Sequence, residues 1–256
     1  MSLLYVHEMG PKEAPAILFL HGLGLSHTMW HPQFERMADY YHCLAPDLPE
    51  CGNSGEVGPF RLEEAAQLVI SIVREYVPKG VTHVVGLSLG GAVALQMLCE
   101  APEVVDHLMI SGIARTLPPP LGAIQRLNGH MLHLVSHERL TDFLMEAYDI
   151  PRAERRLLLE DLRTVKPEAI GRFLEAMTGW KLFYNGHTPI LSTAGRLEAF
   201  VTQQTVYEMK RRIPCIRGVL IPGASHFWNL EFPSLFTQTV HAWIEDEPFP
   251  DRTLAI

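Results

Sequence analysis

The sequence has no basic cluster, no long apolar run and no targeting segment, and each absence excludes a class of protein. Its 256 residues include 21 basic and 29 acidic side chains, for a formal net charge of −8. Nucleic-acid-binding domains carry clustered lysine and arginine, so we expect no nucleic-acid partner. No apolar run approaches the roughly 20 residues of a membrane span, and the start of the chain lacks the basic and apolar regions of a signal peptide. We therefore expect a cytoplasmic protein without a membrane partner.

Cysteine is also scarce, and its spacing excludes two further classes. The chain has four cysteines, and none belongs to a Cys-x-x-Cys pair. The wide separation of Cys43, Cys51, Cys99 and Cys215 is typical of reduced thiols. A disulfide framework or a zinc site would need a closer and more regular pattern.

One group of histidines has the spacing of possible metal ligands. His130, His133 and His137 share one face of a predicted helix. No nearby cysteine or well-spaced carboxylate completes a metal site, so a helix surface or packing explains these residues better. We therefore expect no metal ion, and no motif in the chain implies a cofactor.

Strand-like and helical segments alternate along most of the chain. Hydrophobic residues make up 47% of the sequence and charged residues 20%, which are values typical of globular proteins. Apolar runs predict strands at residues 3–7, 16–20, 42–47, 81–85, 104–110, 188–195 and 217–223, the last of them the final strand. Helical spacing is clearest between Leu62 and Tyr76. This alternation predicts an α/β fold with a mostly parallel sheet and helices on both faces.

The alternation is interrupted once. Pro118–Pro120 break the chain, and from there to Tyr184 the spacing indicates helices and no strand. We therefore predict a core formed by residues 1–114 and 186–256, with a helical lid at 115–185 inserted into it. Such a lid would cover the carboxyl ends of the strands, where open α/β sheets bind their ligands.

The segment Gly86–Gly91 carries the clearest functional motif. Its sequence, Gly-Leu-Ser-Leu-Gly-Gly, follows a β-rich run and precedes the helical run Ala92–Leu98. A strand, a Gly-x-Ser-x-Gly turn and a helix together make a nucleophile elbow. The glycines leave room for a strained turn that lifts a serine hydroxyl above the sheet. Ser88 is therefore the predicted nucleophile.

A serine nucleophile needs a base, and the base needs an acidic partner. His226 follows the final predicted strand, whereas His241 falls within the last helix and is predicted to lie on its surface. Glu198 follows the preceding strand, whereas Asp106 lies at the opposite end of the sheet. The remaining acidic candidates, Asp161 among them, lie in the insert and are interpreted as the solvated faces of its helices. We predict that His226 is the base and that Glu198 accepts a hydrogen bond from its Nδ1.

Acyl transfer also requires two N–H donors for the developing oxyanion. The residue after the nucleophile, Leu89, supplies one donor in a nucleophile elbow. The loop His21-Gly22-Leu23-Gly24 follows an early strand, and its glycines allow a close backbone approach, so the Leu23 N–H is the predicted second donor. His21 itself is predicted to bond the loop rather than to react.

With these motifs, the chain resembles the α/β-hydrolase superfamily over nearly its whole length outside the insert. Ser88, Glu198 and His226 match the positions of the catalytic triad in that superfamily. The loop that starts at Asp47-Leu48-Pro49 resembles the Asp-x-Pro-Gly-x-Gly-x-Ser loop of the superfamily, but Glu50-Cys51 replace the usual glycine and the residue after it. Residues 29–33, Met-Trp-His-Pro-Gln, are similar to the same region of enol-lactonases.

The expected function is hydrolysis of a small-molecule carboxylic ester through an acyl-enzyme on Ser88. Apolar side chains in the insert and beside the base favour a substrate with an apolar portion, and the predicted pocket residues are Trp30, Trp180, Phe227 and Trp228. Two alternatives remain open. The same triad could cleave a lactone or a carbon–carbon bond, or catalyse an elimination; alternatively, the scaffold could bind a ligand without catalysis.

Overall fold

A single sheet organises the structure. The computed structural model describes residues 3–115, 155–180, 186–251 and 253–255, together with isolated positions between 136 and 146. Its strands are β1 (Val6–Met9), β2 (Ala16–Leu20), β3 (His42–Pro46), β4 (Thr82–Leu87), β5 (Val105–Ser111), β6 (Ile190–Gly195), β7 (Ile216–Ile221) and β8 (Leu254–Ala255). They form one sheet in the order β1-β3-β2-β4-β5-β6-β7-β8. Only the two edge strands, β1 and β8, run antiparallel to their neighbours. The predicted mostly parallel sheet is confirmed.

Helices cover the sheet in groups. They are α1 (His31–Met37), α2 (Leu62–Tyr76), α3 (Leu89–Glu100), α4 (Arg155–Leu162), α5 (Pro167–Gly179), α6 (Phe200–Arg212), α7 (Trp228–Glu231) and α8 (Pro233–Ile244). Short 3₁₀ helices lie at His27–Trp30, Gly52–Ser54 and Pro102–Val104. One group is α2 with α3, and another is α1 with α7 and α8. This is the arrangement of the α/β-hydrolase fold.

The central strands are buried because helices cover both of their faces. All five residues of β2 are buried, which matches the continuous apolar run from which the strand was predicted. The predicted helix between Leu62 and Tyr76 is confirmed with those bounds as α2. Most of its apolar positions are buried and supply one layer of the core, and Ala65, Val69 and Val73 among them are fully buried.

Two strand predictions were wrong at the edges of the sheet. β1 starts at Val6, three residues later than predicted, and Leu3 is exposed. β7 is not the final strand, because Val219 and Leu220 pair with β8. β8 is only two residues long, which is too short to produce a recognisable apolar pattern in the sequence.

The insert between β5 and β6 supplies α4 and α5 in its described part. In α5, Ile170, Phe173, Leu174 and Met177 are buried, so this helix packs through the apolar face that its spacing indicates. Helix α5 packs against α3, the helix that follows Ser88. Across the described ranges, no helix is long and apolar enough to cross a membrane.

Candidate active site

Ser88 occupies a strained turn between β4 and α3. Its backbone has φ 56° and ψ −113°, a conformation that L-residues rarely adopt. A Cβ at Gly86 would lie 2.5 Å from the Gly90 carbonyl oxygen, and a Cβ at Gly90 would overlap the Leu20 carbonyl oxygen. Glycine is therefore required at both positions by close backbone approach. The segment Gly86–Gly91 thus forms the strained turn that its motif predicts, with Ser88 between the strand and the helix.

The strand beside the elbow holds this turn in place. The Ser88 N–H donates to the Ser111 carbonyl oxygen at 2.8 Å, at the carboxyl end of β5. Gly112 follows with φ 66°, and a Cβ there would lie 2.6 Å from His226 Cε1 and 3.4 Å from Glu198 Oε2. Gly112 thus sits between the elbow and the other two predicted residues, and its missing side chain lets them approach. The prediction from sequence did not include Gly112.

His226 and Glu198 meet although 28 positions separate them in the chain. His226 Nδ1 donates to Glu198 Oε2 at 2.8 Å, since a carboxylate can only accept. Both side chains are almost completely buried. The His226 ring also packs edge-on against Phe227, with centroids 4.9 Å apart. The hydrogen bond and the ring contact together fix the orientation of the imidazole, and Nε2 is the ring nitrogen that does not bind Glu198.

The second oxygen of Glu198 is held by its own loop. Glu198 Oε1 accepts a hydrogen bond from the Gly195 N–H at 2.8 Å. A Cβ at Gly195 would overlap the Ala224 carbonyl oxygen, so the loops after β6 and β7 are in close backbone contact. The extra methylene of glutamate lets the side chain fold back onto its loop and still reach His226.

The loop that carries His226 is anchored from α7 and α1. Glu231 Oε2 accepts a hydrogen bond from the Ser225 N–H at 2.8 Å. The Asn229 side chain donates to the Met29 carbonyl oxygen, and the Gln33 side chain donates to the Asn229 carbonyl oxygen. These anchors were missed in the sequence because a polar residue in a helix gives no sign of such a partner.

The two predicted oxyanion donors belong to adjacent segments. Leu89 is the first residue of α3, so its N–H has no acceptor within the helix. Leu23 lies in a turn closed by the Leu25 N–H, which donates to the Gly22 carbonyl oxygen at 3.2 Å. This turn follows β2, whose last residue, Leu20, is paired with Gly86 at the elbow. The structure therefore places both segments at the same end of neighbouring strands.

His21 bonds its own loop, residues 21–24, as the sequence indicated. Its Nδ1 donates to the Gly22 carbonyl oxygen at 2.9 Å, and its Nε2 accepts from the Leu48 N–H at 2.9 Å. These partners require the neutral tautomer with the proton on Nδ1. Burial lowers the pKa of His21, which also favours the neutral form. The ring acts as a bridge between the loops after β2 and β3.

These features agree with the comparison to known protein families. The model of the alpha/beta hydrolase family matches residues 17–239. The chain belongs to this family.

Proteins similar to this chain carry names of more than one activity. The chain is similar to carboxylesterase YbfK of Bacillus subtilis (strain 168), with 24% identity over 250 residues that cover 94% of this chain and 83% of the relative. A thermophilic esterase from Thermogutta terrifontis superimposes with a TM-score of 0.81 at 22% identity, covering 95% and 93% of the two chains. The enol-lactonase from Burkholderia xenovorans LB400 gives a TM-score of 0.79 at 19% identity, covering 94% and 96%. At these identities, the solved structures show that the fold is shared.

The four aromatic residues predicted to line the pocket lie at different depths. Trp30 and Trp228 are fully buried and both pack against Phe236, so the structure places them in the core. Trp228 Nε1 donates to Ser111 Oγ at 2.9 Å, which makes it a support beneath the elbow. Phe227 packs on the predicted base, and Trp180 is buried at the end of α5. Phe227 is therefore in contact with a predicted catalytic residue.

The loop after β3 surrounds a buried carboxylate. Asp47 accepts hydrogen bonds from the N–H and Nδ1 of His27 and from the Asn53 N–H, at 2.7 to 2.8 Å. Burial would raise the pKa of Asp47, but the His27 hydrogen bond and nearby His21 lower it below its usual range. Asp47 therefore organises this loop and the 3₁₀ helix that follows residues 21–24.

Helix α4 packs against the loop of residues 21–24, which carries the predicted donor Leu23. A Cβ at Gly24 would lie 2.5 Å from Leu162 Cδ2, so the end of α4 closes over this turn. Asp161 accepts hydrogen bonds from Ser26 Oγ at 2.8 Å and Thr28 Oγ1 at 3.2 Å. Burial raises the pKa of Asp161 to about 6. In the sequence, Asp161 belongs to a set of insert carboxylates interpreted as solvated, and that interpretation is wrong for this residue.

One described group of side chains has the composition of a metal site. Potential ligand atoms of His83, Asp106 and His107 lie within 4.8 Å of one another. His107 Nδ1 donates to Asp106 Oδ1 at 2.6 Å, while His83 Nδ1 is 3.9 Å from the same oxygen. An ordinary hydrogen bond therefore accounts for the closest pair. The group lies at the amino ends of β4 and β5, opposite Ser88, and the histidines at 130, 133 and 137 lie outside the described residues.

Proposed function

We propose that this protein is a serine hydrolase that cleaves a carboxylic ester with an apolar portion. The observation that carries the proposal is the buried hydrogen bond between His226 and Glu198. Both side chains lie beside Gly112, the residue after Ser111, whose carbonyl oxygen accepts the Ser88 N–H. A strained nucleophile elbow next to an oriented imidazole is an arrangement suited to acyl transfer. Family membership and the esterase and carboxylesterase names of relatives support the same activity.

The proposed reaction proceeds through an acyl-enzyme. His226 Nε2 accepts the Ser88 hydroxyl proton as Oγ attacks the carbonyl carbon, and the carbonyl oxygen becomes an oxyanion. The Leu23 and Leu89 N–H groups stabilise that charge. The ester C–O bond breaks, and the alcohol leaves with the proton from His226. Water then attacks the acyl-enzyme by the same route, which releases the carboxylic acid and restores Ser88.

Glu198 acts on the base rather than on the substrate. With Oε1 held by Gly195, Oε2 stays directed at His226 Nδ1. The carboxylate favours the tautomer whose Nε2 can accept a proton, and it stabilises the imidazolium that forms. The reaction requires no metal ion and no cofactor in this proposal.

Lactone hydrolysis is the second candidate. A lactone is a cyclic ester, so the same steps open it, with the leaving alcohol still attached to the acyl group. The similarity of residues 29–33 to enol-lactonases and the fold shared with one such enzyme favour including it. Cleavage of a carbon–carbon bond is a more distant alternative, because its leaving group is a carbanion rather than an alkoxide.

A substrate panel tests the proposal. It contains 4-nitrophenyl esters of increasing acyl length, matched five- and six-membered lactones, and a 1,3-diketone, each assayed with wild type and Ser88→Ala. Ester turnover that is lost in Ser88→Ala supports the proposal, and turnover of lactones alone moves the assignment to the second candidate. A folded wild-type protein that turns over no member, yet binds the panel, contradicts the proposal and favours a binding protein.

A further inference from the structure

Glu50 has a backbone conformation that disfavours its own side chain. Its φ is 64°, in the left-handed region where glycine is favoured and glutamate is strained. Such residues persist where surrounding contacts hold them, and they occur often near functional sites. The mechanism proposed above makes no use of Glu50, so its contacts require a separate explanation.

The Glu50 carboxylate is bound from two directions. Its Oε2 accepts a hydrogen bond from the Phe60 N–H at 2.8 Å, which fixes the carboxylate to the core. Arg172, on α5 of the insert, donates Nη2 to Oε1 at 2.6 Å and Nε to Oε2 at 3.0 Å. The Glu50 side chain is only 8% exposed and that of Arg172 is 33% exposed. A two-pronged, largely buried ion pair is a strong and directional contact.

This ion pair joins the insert to the core beside an aromatic contact. Phe60 donates its N–H to Glu50, and Phe173 is the chain neighbour of Arg172; the two rings pack edge-on with centroids 5.1 Å apart. At the end of α4, Leu162 covers Gly24, the residue after the proposed donor Leu23. Each of the two described helices of the insert thus has its own contact with the core.

Helix α5 is connected to the elbow region through helix α3. It packs against α3, which begins at Leu89, and Phe173, Leu174 and Trp180 are buried in the same apolar cluster as Leu89. A shift of α5 away from the core would therefore disturb its apolar packing against α3, the helix that follows the proposed nucleophile. Strain at Glu50 is offset by a contact that prevents this shift.

We propose that Glu50 and Arg172 are positioning residues that hold α5 against the core and so shape the apolar part of the substrate pocket. The proposal rests on the ester hydrolase activity proposed above, and it predicts a preference for substrates with a long apolar acyl group. Short acyl groups make little contact with α5. Loss of the ion pair should therefore change KM for esters with long acyl chains more than it changes kcat/KM for esters with short ones.

The test compares Glu50→Gln, Arg172→Met and the double variant with wild type. Glu50→Gln keeps the shape and removes the charge, and Arg172→Met keeps much of the apolar stem. We expect KM for 4-nitrophenyl octanoate to rise about fivefold or more in each single variant, with less than about a twofold change in kcat/KM for the acetate ester. The double variant should be little worse than either single one, because both remove the same contact. Arg172→Lys should recover only part of the loss, since lysine keeps the charge without the fork.

Two further variants separate positioning from stability. Lys166→Met removes an exposed ion pair with Glu56 that also joins insert and core at 3.4 Å, so it is a matched control expected to leave both esters unaffected. Glu50→Gly relieves the left-handed strain and removes the ion pair. It should melt at the same temperature as Glu50→Gln or higher, and still show the raised KM for octanoate.

Hydrogen exchange over Pro167–Gly179 gives a readout that does not depend on activity. Exchange should be faster in Glu50→Gln and Arg172→Met than in wild type, and unchanged in Lys166→Met. Unchanged exchange in the first two variants would overturn the proposal, as would equal losses for acetate and octanoate. If wild type hydrolyses neither ester while labelling of Ser88 also fails, the proposed function falls, and the anchoring of α5 is then decided by the exchange result alone.

Discussion

Glu198 binds His226 and its own loop with different carboxylate oxygens: Oε2 accepts a hydrogen bond from His226 Nδ1 and Oε1 accepts one from the Gly195 N–H, both at 2.8 Å. The bond with Gly195 holds the carboxylate on the loop after β6, and the bond with His226 joins it to the loop after β7. Because both oxygens are used, the carboxylate cannot rotate without losing a partner. This relationship is the basis of the expectations for the predicted acid.

The predicted triad should behave as one unit. We expect Ser88→Ala and His226→Ala each to remove nearly all ester hydrolysis, and the double variant to be little worse than either. Steady-state kinetics with a 4-nitrophenyl ester measures this, and circular dichroism checks that each variant is folded. Losses that multiply in the double variant would show that the two side chains act independently.

Glu198→Gln should reduce kcat by about 10²–10⁴, since an amide can donate to His226 and favour the wrong tautomer. Glu198→Asp keeps the charge but is shorter by one methylene, so it should retain one of the two hydrogen bonds and more activity than the glutamine variant. The comparison uses kcat at saturating ester. Near-wild-type activity in both variants would remove Glu198 from the proposed mechanism.

The elbow glycine Gly90 and the insert glycine Gly171 form a matched pair. A Cβ at Gly90 overlaps the Leu20 carbonyl oxygen, whereas nothing lies within 4 Å of a Cβ at Gly171. We expect Gly90→Ala to lower the free energy of unfolding by about 1–3 kcal/mol or more. Gly171→Ala lies inside helix α5 and should raise it by about 0.5–1 kcal/mol. Urea unfolding measures both, and equal effects would contradict the close approach at the elbow.

Asp161 should make stability depend on pH. Burial raises its pKa from 3.8 to about 6, so the folded state favours the neutral form, and its contribution to stability is lost as the pH rises through 6. Asp161→Asn mimics the neutral form and should be more stable than wild type at pH 8, by up to about 3 kcal/mol, and no more stable near pH 3.5.

Urea unfolding at both pH values checks the prediction for Asp161. Glu160→Gln is the control, because Glu160 is an exposed neighbour paired with exposed Arg156. Its effect should be small and should not differ between the two pH values. A gain in stability from Asp161→Asn that is as large at pH 3.5 as at pH 8 would contradict the shifted pKa.

Much of the fold was predictable because it depends on local patterns. The apolar run at Ala16–Leu20 indicates a strand covered on both faces, and Gly86–Gly91 indicates a turn with no room for side chains. The order of segments predicts that Glu198 and His226 follow neighbouring strands, and parallel strands bring such loops together. The structure places these two residues in hydrogen-bond contact.

The contacts that were missed depend on pairings between distant segments. Arg172 binds Glu50 across 122 positions, and Asp161 binds Ser26 across 135. In the sequence, such residues resemble the solvated face of a helix, because periodicity gives the facing direction of a residue and not its partner. Gly112 was missed for a related reason: its role is to leave space for His226 and Glu198.

The central claim is that Ser88 is the nucleophile of a serine hydrolase. Wild type, Ser88→Ala and His226→Ala are each treated with a fluorophosphonate, and the adduct is located by mass spectrometry of peptides while ester hydrolysis is followed in parallel. The account predicts one adduct, on Ser88, formed in step with loss of hydrolysis, slowed in His226→Ala and absent in Ser88→Ala. Full ester hydrolysis by a wild-type protein that carries no adduct on Ser88 would contradict it.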